Sequence, residues 1–191
     1  NGPVRRGVGM AMFIYKTGVY PISLETASAR ITLNQDGSIQ LSMGATEIGQ
    51  GADTVFTQMA AETTGISVDR VYINSTQDTD VTPFDTGAYA SRQTYVSGMA
   101  CKKCALEFRQ KVLEYAAYML NHDVTDLSKT VYADLVKEAA GKVRQVLGLH
   151  AEEEITWEML DIADSQVVVN GGDPVLFDVA VVADTAFYSL D

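Results

Sequence analysis

The chain has 191 residues, 47% of them hydrophobic, and a formal net charge of −11 at pH 7. This length and composition are typical of one globular domain, or two small lobes, with a sizeable core. The negative charge argues against a nucleic acid partner, because binding to the phosphate backbone requires a basic surface. We find no apolar run of about 18 residues, the length that would predict a membrane span.

The first half of the chain predicts strands and one helix. Alternating small and large residues predict a first strand, and two further strands flank Asp36-Gly37, a pair typical of β-hairpin turns. An amphipathic run that ends at Gly65 predicts the helix, since glycine commonly terminates helices. The predicted strands are residues 7–14, 27–33, 39–43 and 71–74, and the predicted helix is residues 51–64.

The second half predicts mainly helices, and the whole chain therefore predicts an α+β fold in which helices pack on a mixed β-sheet. Residues 75–92 are irregular, and a loop of this length in a compact domain usually serves a function. One strand is expected at residues 165–169. The predicted helices are residues 92–121, 130–148, 152–160 and 176–189.

The longest predicted helix has an apolar stripe with helical periodicity and also contains both cysteines, Cys101 and Cys104. A zinc or iron–sulfur site needs about four ligands. The sequence offers no second cysteine pair and no nearby histidine, so we expect two thiols on a partly buried helix face. The lack of a disulfide framework favours a reducing compartment, the cytoplasm. The predicted stripe consists of Val96, Met99, Ala100, Cys104, Phe108, Val112, Tyr115 and Met119.

The turn at residues 44–54 joins a strand end to a helix start, and we refer to it as the first junction. Free backbone N–H groups and the positive end of the helix dipole are expected to meet there, which suits an anionic or polar ligand. Glycines in the turn allow close approach of the backbone and positive φ angles. Gln50, between Gly49 and Gly51, offers a side-chain amide to such a ligand.

A second junction, residues 84–94, again combines glycine and hydroxyl groups with polar side chains where a helix begins. Thr86, Ser91, Arg92 and Gln93 suit a phosphate or a polar heterocycle. Because ligands tend to bind outside strand ends, both junctions could converge on one ligand. The alternatives are that Ser91 only caps the helix and that Arg92 only forms a surface ion pair.

The titratable residues of the chain are weak candidates for acid–base catalysis. Aspartate beside threonine or glycine is common in turns, and both histidines lie in the acidic second half, away from the two junctions. We therefore expect no catalytic residue in this chain. The carboxylates considered are Glu47, Asp78, Asp80 and Asp85, and the histidines are His122 and His150.

Two long motifs occur in a fixed order. The first is Gly-Ala-Thr-Glu-Ile-Gly-Gln-Gly at residues 44–51, and the second is Asp-Thr-Asp-Val-Thr-Pro-Phe-Asp-Thr-Gly-Ala-Tyr-Ala-Ser-Arg-Gln-Thr-Tyr at residues 78–95. Together they resemble the molybdopterin-binding large subunit of the xanthine dehydrogenase and aldehyde oxidase family, and most of all its bacterial purine-type members. The resemblance covers roughly residues 4–121, with a weaker echo at 160–191.

This resemblance implies a molybdenum–molybdopterin cofactor that hydroxylates a purine, hypoxanthine or xanthine, with oxygen derived from water. Electrons would pass to iron–sulfur clusters and FAD in other domains or subunits. Gln50 resembles the glutamine that reaches the pterin, and Ala90 resembles the small residue close to the molybdenum, with no direct metal ligand. Met10 and Phe13 face the substrate channel or, as we expect, the core. The implied cofactor-binding residues are Ile48, Gly49, Gln50, Gly51, Ala90, Ser91 and Arg92.

The resemblance also implies a piece of a longer chain. The family's Phe-Gly-Gly-Lys-Glu motif and the catalytic glutamate of its Gly-Glu-Pro motif are not in this sequence. We expect residues 4–121 to form the core of the binding domain, 122–160 a helical insertion, and 161–191 a strand and helix that complete the lobe. The isolated piece should be inactive.

The implied partners are the remainder of the large subunit, iron–sulfur and FAD subunits, and a small heterocyclic substrate. Two alternatives stay open. One is another branch of the family, an aldehyde oxidoreductase or an aryl-CoA reductase. The other is a non-catalytic module for cofactor binding or assembly.

Overall fold

The computed structural model of the chain describes residues 2–21, 25–74, 78–122 and 131–188, which contain two three-stranded sheets and four α-helices. Within these ranges no helix is both long and apolar enough to cross a bilayer. The strands are β1 Ala29–Leu33, β2 Ile39–Met43, β3 Val71–Asn74, β4 Leu160–Ala163, β5 Gln166–Val169 and β6 Val175–Asp178. The helices are α1 Ala52–Thr64, α2 Gln93–Asn121, α3 Ala133–Leu147 and α4 Val179–Tyr188.

The first sheet has the order β1-β2-β3 and is mixed. β1 and β2 form an antiparallel hairpin in which Ile31 lies opposite Leu41, whereas β3 runs parallel to β2 and is reached through α1. Gly37 in the hairpin turn has a φ of +80°, as expected from the Asp-Gly pair. The Asp36 carboxylate accepts bonds from the Ser38 hydroxyl at 2.6 Å and the Ser38 amide at 2.9 Å. The sequence pattern therefore located this hairpin correctly.

The second sheet, β4-β5-β6, is antiparallel and was only partly predicted. β5 agrees with the expected strand, but β4 was missed, and the helix expected from residue 176 begins at Val179 because β6 precedes it. Short apolar runs are compatible with either a strand or a helix, and long-range pairing decides between them. The helix expected at residues 152–160 is reduced to the 3₁₀ turn Trp157–Met159.

The segment expected to form the first strand lies outside both sheets. Residues 7–14 have no regular secondary structure, and the side chains of Met10 and Phe13 are 88% and 89% exposed. The core position expected for these two side chains is therefore wrong for the described chain. Alternation alone cannot form a strand, because a strand also needs a neighbour that satisfies its backbone groups. Residues 75–77 of the expected loop and 123–130 of the expected insertion lie outside the described residues.

The long helix α2 packs on α1 and on β1, and its buried face differs from the predicted stripe over its first half. Met99 of the stripe is 48% exposed, whereas Val112 and Met119 in the second half are buried as expected. Small residues let the first half approach α1 closely: a Cβ at Gly98 would lie 2.9 Å from the Met59 Cε. The buried residues of that half are Gln93, Ser97, Gly98, Cys101 and Ala105.

We expect Cys101 to resist alkylation in the folded protein. Its side chain is buried, and this burial together with the neighbouring Cys104 thiol raises the pKa of Cys101 to about 12, so little thiolate forms near pH 8. Iodoacetamide labelling followed by mass spectrometry should therefore modify Cys101 only after unfolding. Cys104 is partly exposed and provides the internal comparison. Rapid labelling of Cys101 at pH 8 before unfolding would contradict this placement.

Candidate functional site

The two junctions recognised in the sequence lie side by side. Gly44, at the start of the first, is so close to the second that a Cβ there would lie 2.8 Å from the Asp85 backbone nitrogen. Between them is a cavity of about 530 Å³, a volume typical of small-molecule sites. Ile48 and Gln50 of the first junction and residues 88–94 of the second form much of its wall.

The backbone amides at the start of α1 are already used by a carboxylate of the same turn. Oε1 of Glu47 accepts bonds from Gly49 N at 2.6 Å and Gly51 N at 3.2 Å, and Oε2 accepts one from Asp53 N at 3.1 Å. These bonds, that from Asp53 N first, lower the pKa of Glu47 below its usual value. The expectation that these amides are free for an anionic ligand is therefore not met, because Glu47 caps the helix.

Gln50 connects the two junctions through its side-chain amide. Its oxygen accepts a bond from Ile48 N at 2.7 Å, and its nitrogen donates to the Thr46 carbonyl oxygen at 2.9 Å and to the Gln93 side-chain oxygen. Gln93, only 8% exposed, in turn donates to the same Thr46 carbonyl at 2.8 Å. The amide is thus held at the cavity wall in one orientation. A glutamine at the start of a helix beside a glycine turn was the sequence signal for this link.

Two consecutive residues of the second junction have left-handed backbone conformations. The φ angles of Ala90 and Ser91 are +48° and +52°, which side chains with a Cβ rarely adopt. The Ala90 carbonyl accepts a bond from Gly18 N at 2.8 Å. Ser91 is exposed, and the N-cap position immediately before α2 is occupied by Arg92, whose side chain makes no capping bond. The alternative in which Ser91 serves as the helix cap is therefore wrong.

Arg92 is completely buried and does not form a surface ion pair. Its guanidinium donates to the Glu25 carboxylate, to Asp85 Oδ1 and to the Gly87 carbonyl, the last two at 2.7 Å. A fourth bond reaches the Thr26 carbonyl at 2.7 Å. Burial alone would lower the pKa of Arg92, but the bonds to Asp85 and Glu25 raise it above its usual value. The cation is therefore permanently charged and neutralised inside the protein.

The described residues that line the cavity include no carboxylate and no histidine. The Asp85 side chain is fully buried in its bond with Arg92, and Asp78 accepts a bond from Asp80 N at 2.9 Å in an exposed turn. His122 stacks on Tyr118 at the far end of α2. Among all the residues that the structure describes, no three His, Cys, Asp or Glu side chains are grouped so that they could hold a metal ion. The wall offers hydrogen-bonding groups and small side chains instead.

The structure brings most of the residues implied by the resemblance to this cavity. Five line it directly, and the two glycines flank Gln50 with φ angles of +96° and +82°. Whether they contact a cofactor stays a prediction. The residues that line the cavity are Ile48, Gln50, Ala90, Ser91 and Arg92, and the flanking glycines are Gly49 and Gly51.

A family model described as the molybdopterin cofactor-binding domain matches residues 1–188. The xanthine dehydrogenase molybdenum-binding subunit of Escherichia coli O157:H7 is 54% identical over 128 residues, which are 67% of this chain and 17% of that protein. The carbon monoxide dehydrogenase large chain of Hydrogenophaga pseudoflava is 28% identical over 165 residues, 83% of this chain and 20% of that protein.

Among solved structures, quinoline 2-oxidoreductase from Pseudomonas putida 86 is similar to this chain with a TM-score of 0.61 and 21% sequence identity. The similarity covers 91% of this chain and 18% of that one, and it supports the α+β fold. The chain therefore spans about a fifth or less of the length of these relatives.

Proposed function

The chain belongs to the molybdopterin cofactor-binding domain family, and from this premise we propose that it supplies part of the cofactor cradle of a molybdenum hydroxylase. The observation that supports this most strongly is the cavity of about 530 Å³ shared by the two junctions. Both family-like motifs end at it, although residues 52–77 separate them in the chain.

The residues around the cavity fit a pterin cofactor in size and in chemistry. Ala52, Ala88 and Ala90 keep parts of the wall small. Gln50 and Ser91 add an amide and a hydroxyl, the neutral polar groups that suit a heterocycle. When bound, the cofactor supplies the hydroxylation of a substrate carbon with oxygen from water. This chain contributes binding and orientation.

We assign distinct roles to the two junctions. Gln50 accepts a hydrogen bond from the cofactor at its side-chain oxygen, because both N–H groups of its amide already donate to Thr46 and Gln93. Ile48, Gly49 and Gly51 shape its turn. Ala90 lies close to the molybdenum, because a larger side chain would crowd either the metal or the substrate. Ser91 adds a hydroxyl contact beside it.

The proposed substrate is a purine, hypoxanthine or xanthine. The support is the 54% identity to a subunit of a xanthine dehydrogenase, the highest identity among the relatives described above. The similarity to a carbon monoxide dehydrogenase chain indicates that the same fold serves other substrates. An aldehyde oxidoreductase or an aryl-CoA reductase is therefore the alternative. Hydroxylation assays of the full-length protein with hypoxanthine, benzaldehyde and an aryl-CoA separate these classes.

The proposed assembly contains the remainder of the large subunit together with iron–sulfur and FAD subunits, in the cytoplasm. Residues 4–121 form the core of the cradle, 122–160 an insertion, and 161–191 the part that completes the lobe. A fragment with only these residues should be inactive, because the relatives described above are about five times longer or more.

Replacing Gln50 with alanine in the full-length protein should lower the bound molybdenum by up to about ten-fold, since the loss of a typical hydrogen bond costs about 0.5–1.5 kcal/mol. The measurement is molybdenum per polypeptide by mass spectrometry, together with turnover of hypoxanthine. Gln58→Ala is the matched control, because Gln58 is exposed on α1. Wild-type molybdenum content and turnover in the Gln50 variant would reject the proposed cradle.

A further inference from the structure

We propose that Arg92 is a positioning residue that holds Ala90 and Ser91 in their left-handed conformations at the cavity wall. Where it concerns the cofactor, this inference rests on the proposed function. The assignment differs from the role implied by the resemblance, in which Arg92 contacts the cofactor itself. It follows from the partners that the buried guanidinium already has.

A closed chain of contacts runs from Arg92 back to Ala90. The guanidinium donates to Oε2 of Glu25, and Oε1 of the same carboxylate accepts a bond from Val19 N at 2.8 Å. The preceding residue, Gly18, donates its N–H to the Ala90 carbonyl at 2.8 Å. Glu25 therefore fixes the turn at residues 18–19, and this turn fixes the carbonyl of Ala90. Ala90 is thus restrained twice, by its covalent connection to Arg92 through Ser91 and by the hydrogen bond from Gly18.

The second carboxylate ties the same guanidinium to the helix that follows. Oδ1 of Asp85 accepts bonds from Arg92 at 2.7 Å and from Gly87 N at 2.8 Å. Oδ2 accepts a bond from the Ser97 hydroxyl at 2.6 Å, one turn into α2. The turn before Ala90 and the helix after Ser91 are therefore both anchored on the Arg92–Asp85 pair.

The left-handed pair needs such an anchor. Neither Ala90 nor Ser91 is glycine, so this conformation is higher in free energy for each of them than an ordinary loop conformation. Ser91 is exposed, so burial of its own side chain does not explain why the conformation persists. The buried ion pairs with Glu25 and Asp85 lie immediately around the strained pair and supply the restraint.

The same bonds leave the guanidinium little capacity for a ligand. Guanidinium has five N–H groups, and four bonds to Glu25, Asp85, Gly87 and Thr26 are formed within the chain. The ring of Tyr89 lies 5.3 Å from its central carbon. Arg92 therefore acts on the cavity through the backbone it holds. A lysine cannot replace it, because an ammonium lacks the planar fork that reaches all four acceptors.

The test uses two conservative variants of the full-length protein, Arg92→Lys and Glu25→Gln. Val19 N and Arg92 donate to different oxygens of Glu25, and glutamine replaces one of these oxygens with an NH2 group that cannot accept. Hydrogen exchange is measured by mass spectrometry on protein with and without bound molybdenum. We expect exchange in the peptides that contain Gly18, Val19, Gly87 and Arg92 to become about ten-fold faster. Most of the bound molybdenum should also be lost.

The matched controls are two separate variants, Arg109→Lys and Asp161→Asn. Arg109 donates to the Asp161 carboxylate and, at 3.1 Å, to the Thr63 carbonyl, so it forms a partly exposed ion pair away from the cavity. These variants should lower the melting temperature without changing exchange around Ala90 or the molybdenum content. The comparison separates positioning of the cavity wall from a general loss of stability.

Unchanged exchange around Ala90 in either folded variant would overturn the inference, and so would faster exchange with full molybdenum content and an unchanged Mo(V) paramagnetic resonance spectrum. If Arg92→Lys does not fold, Glu25→Gln decides alone. The outcome is distinct from that of the Gln50→Ala experiment. If Gln50→Ala retains its molybdenum, the proposed cradle is rejected. If Gln50→Ala loses molybdenum but the Arg92 and Glu25 variants change neither exchange nor molybdenum content, only the positioning role is rejected.

Discussion

Replacing Gly44 with alanine is expected to destabilise the folded protein by about 1–3 kcal/mol, the usual cost of overpacking, and to lower its molybdenum content. A Cβ at this position would lie 2.8 Å from Asp85 N and Asp85 Cβ, and closer still to the Pro83 carbonyl oxygen. Two of these are backbone atoms that cannot rotate away. The end of β2 and the second junction must therefore separate, which widens the cavity that both junctions line.

Thermal unfolding of the full-length protein and molybdenum per polypeptide measure the two effects. Gly141→Ala is the control, because Gly141 lies inside α3 with no heavy atom within 4 Å of a Cβ built there. That substitution should stabilise the protein by about 0.5–1 kcal/mol, since glycine is unfavourable within a helix. A Gly44 variant with the melting temperature and molybdenum content of the wild type would contradict the close approach of the junctions.

Elements with local signals could be predicted from the sequence. The hairpin around Asp36-Gly37 and the end of α1 at Gly65 each depend on a residue whose backbone preference acts within its own turn. The bounds of α2, Gln93–Asn121, agree with the expected helix to one residue. In each case a glycine or a helical period specifies the structure without long-range contacts.

The errors concern structure that long-range contacts decide. Residues 7–14 alternate like a strand but find no strand partner in the described part of the chain. β6 resembles the start of a helix until its pairing with β5 is known. The first half of α2 buries small and polar residues because it packs closely on α1 and forms hydrogen bonds with both junctions. Its hydrophobic stripe could not reveal these neighbours.

The candidate site shows the same division. Gln50, Ala90 and Ser91 could be located because their motifs are continuous in sequence. One of the two carboxylates that neutralise Arg92 could not, since Glu25 lies 67 residues before it and outside both motifs. Glu47 was considered only as an acid–base candidate, although a carboxylate four residues before Gly51 can also fold back onto the helix start. The residues that line the cavity could therefore be predicted from the sequence, whereas the contacts that hold them in place could not.

The two junctions also satisfy their polar groups in different ways. In the first junction, Glu47 accepts bonds from backbone amides of the same short turn, and Gln50 adds bonds within the turn and one to Gln93 of the second junction. The second junction is held by Arg92 together with Val19, Glu25 and Thr26, which lie far away in sequence. Loss of the Glu47 bonds should therefore stay local. Damage to the Arg92 contacts should spread to every segment that they join.

Replacing Gly65 with alanine should cost stability without a matching loss of cofactor binding. Gly65 ends α1 with a φ of +80°, and its N–H bonds the Ala61 carbonyl at 2.9 Å. A Cβ there would lie 2.7 Å from the carbonyl carbon of Ile162 in β4, and closer to its oxygen. Backbone strain and this clash together predict a loss of about 2–5 kcal/mol. The second sheet should detach from α1 first, because Ser165 N bonds the Gly65 carbonyl at 2.9 Å.

Gly148→Ala isolates the strain from the clash. Gly148 ends α3 with a φ of +67°, but no heavy atom lies within 4 Å of its built Cβ. This control should lose only about 1–2 kcal/mol, from backbone strain alone. Melting temperatures of the two full-length variants, with molybdenum measured on the folded fraction, test the difference. Equal losses in both would show that β4 does not pack on Gly65, and a larger loss of molybdenum than in Gly44→Ala would show that the second sheet also shapes the cavity.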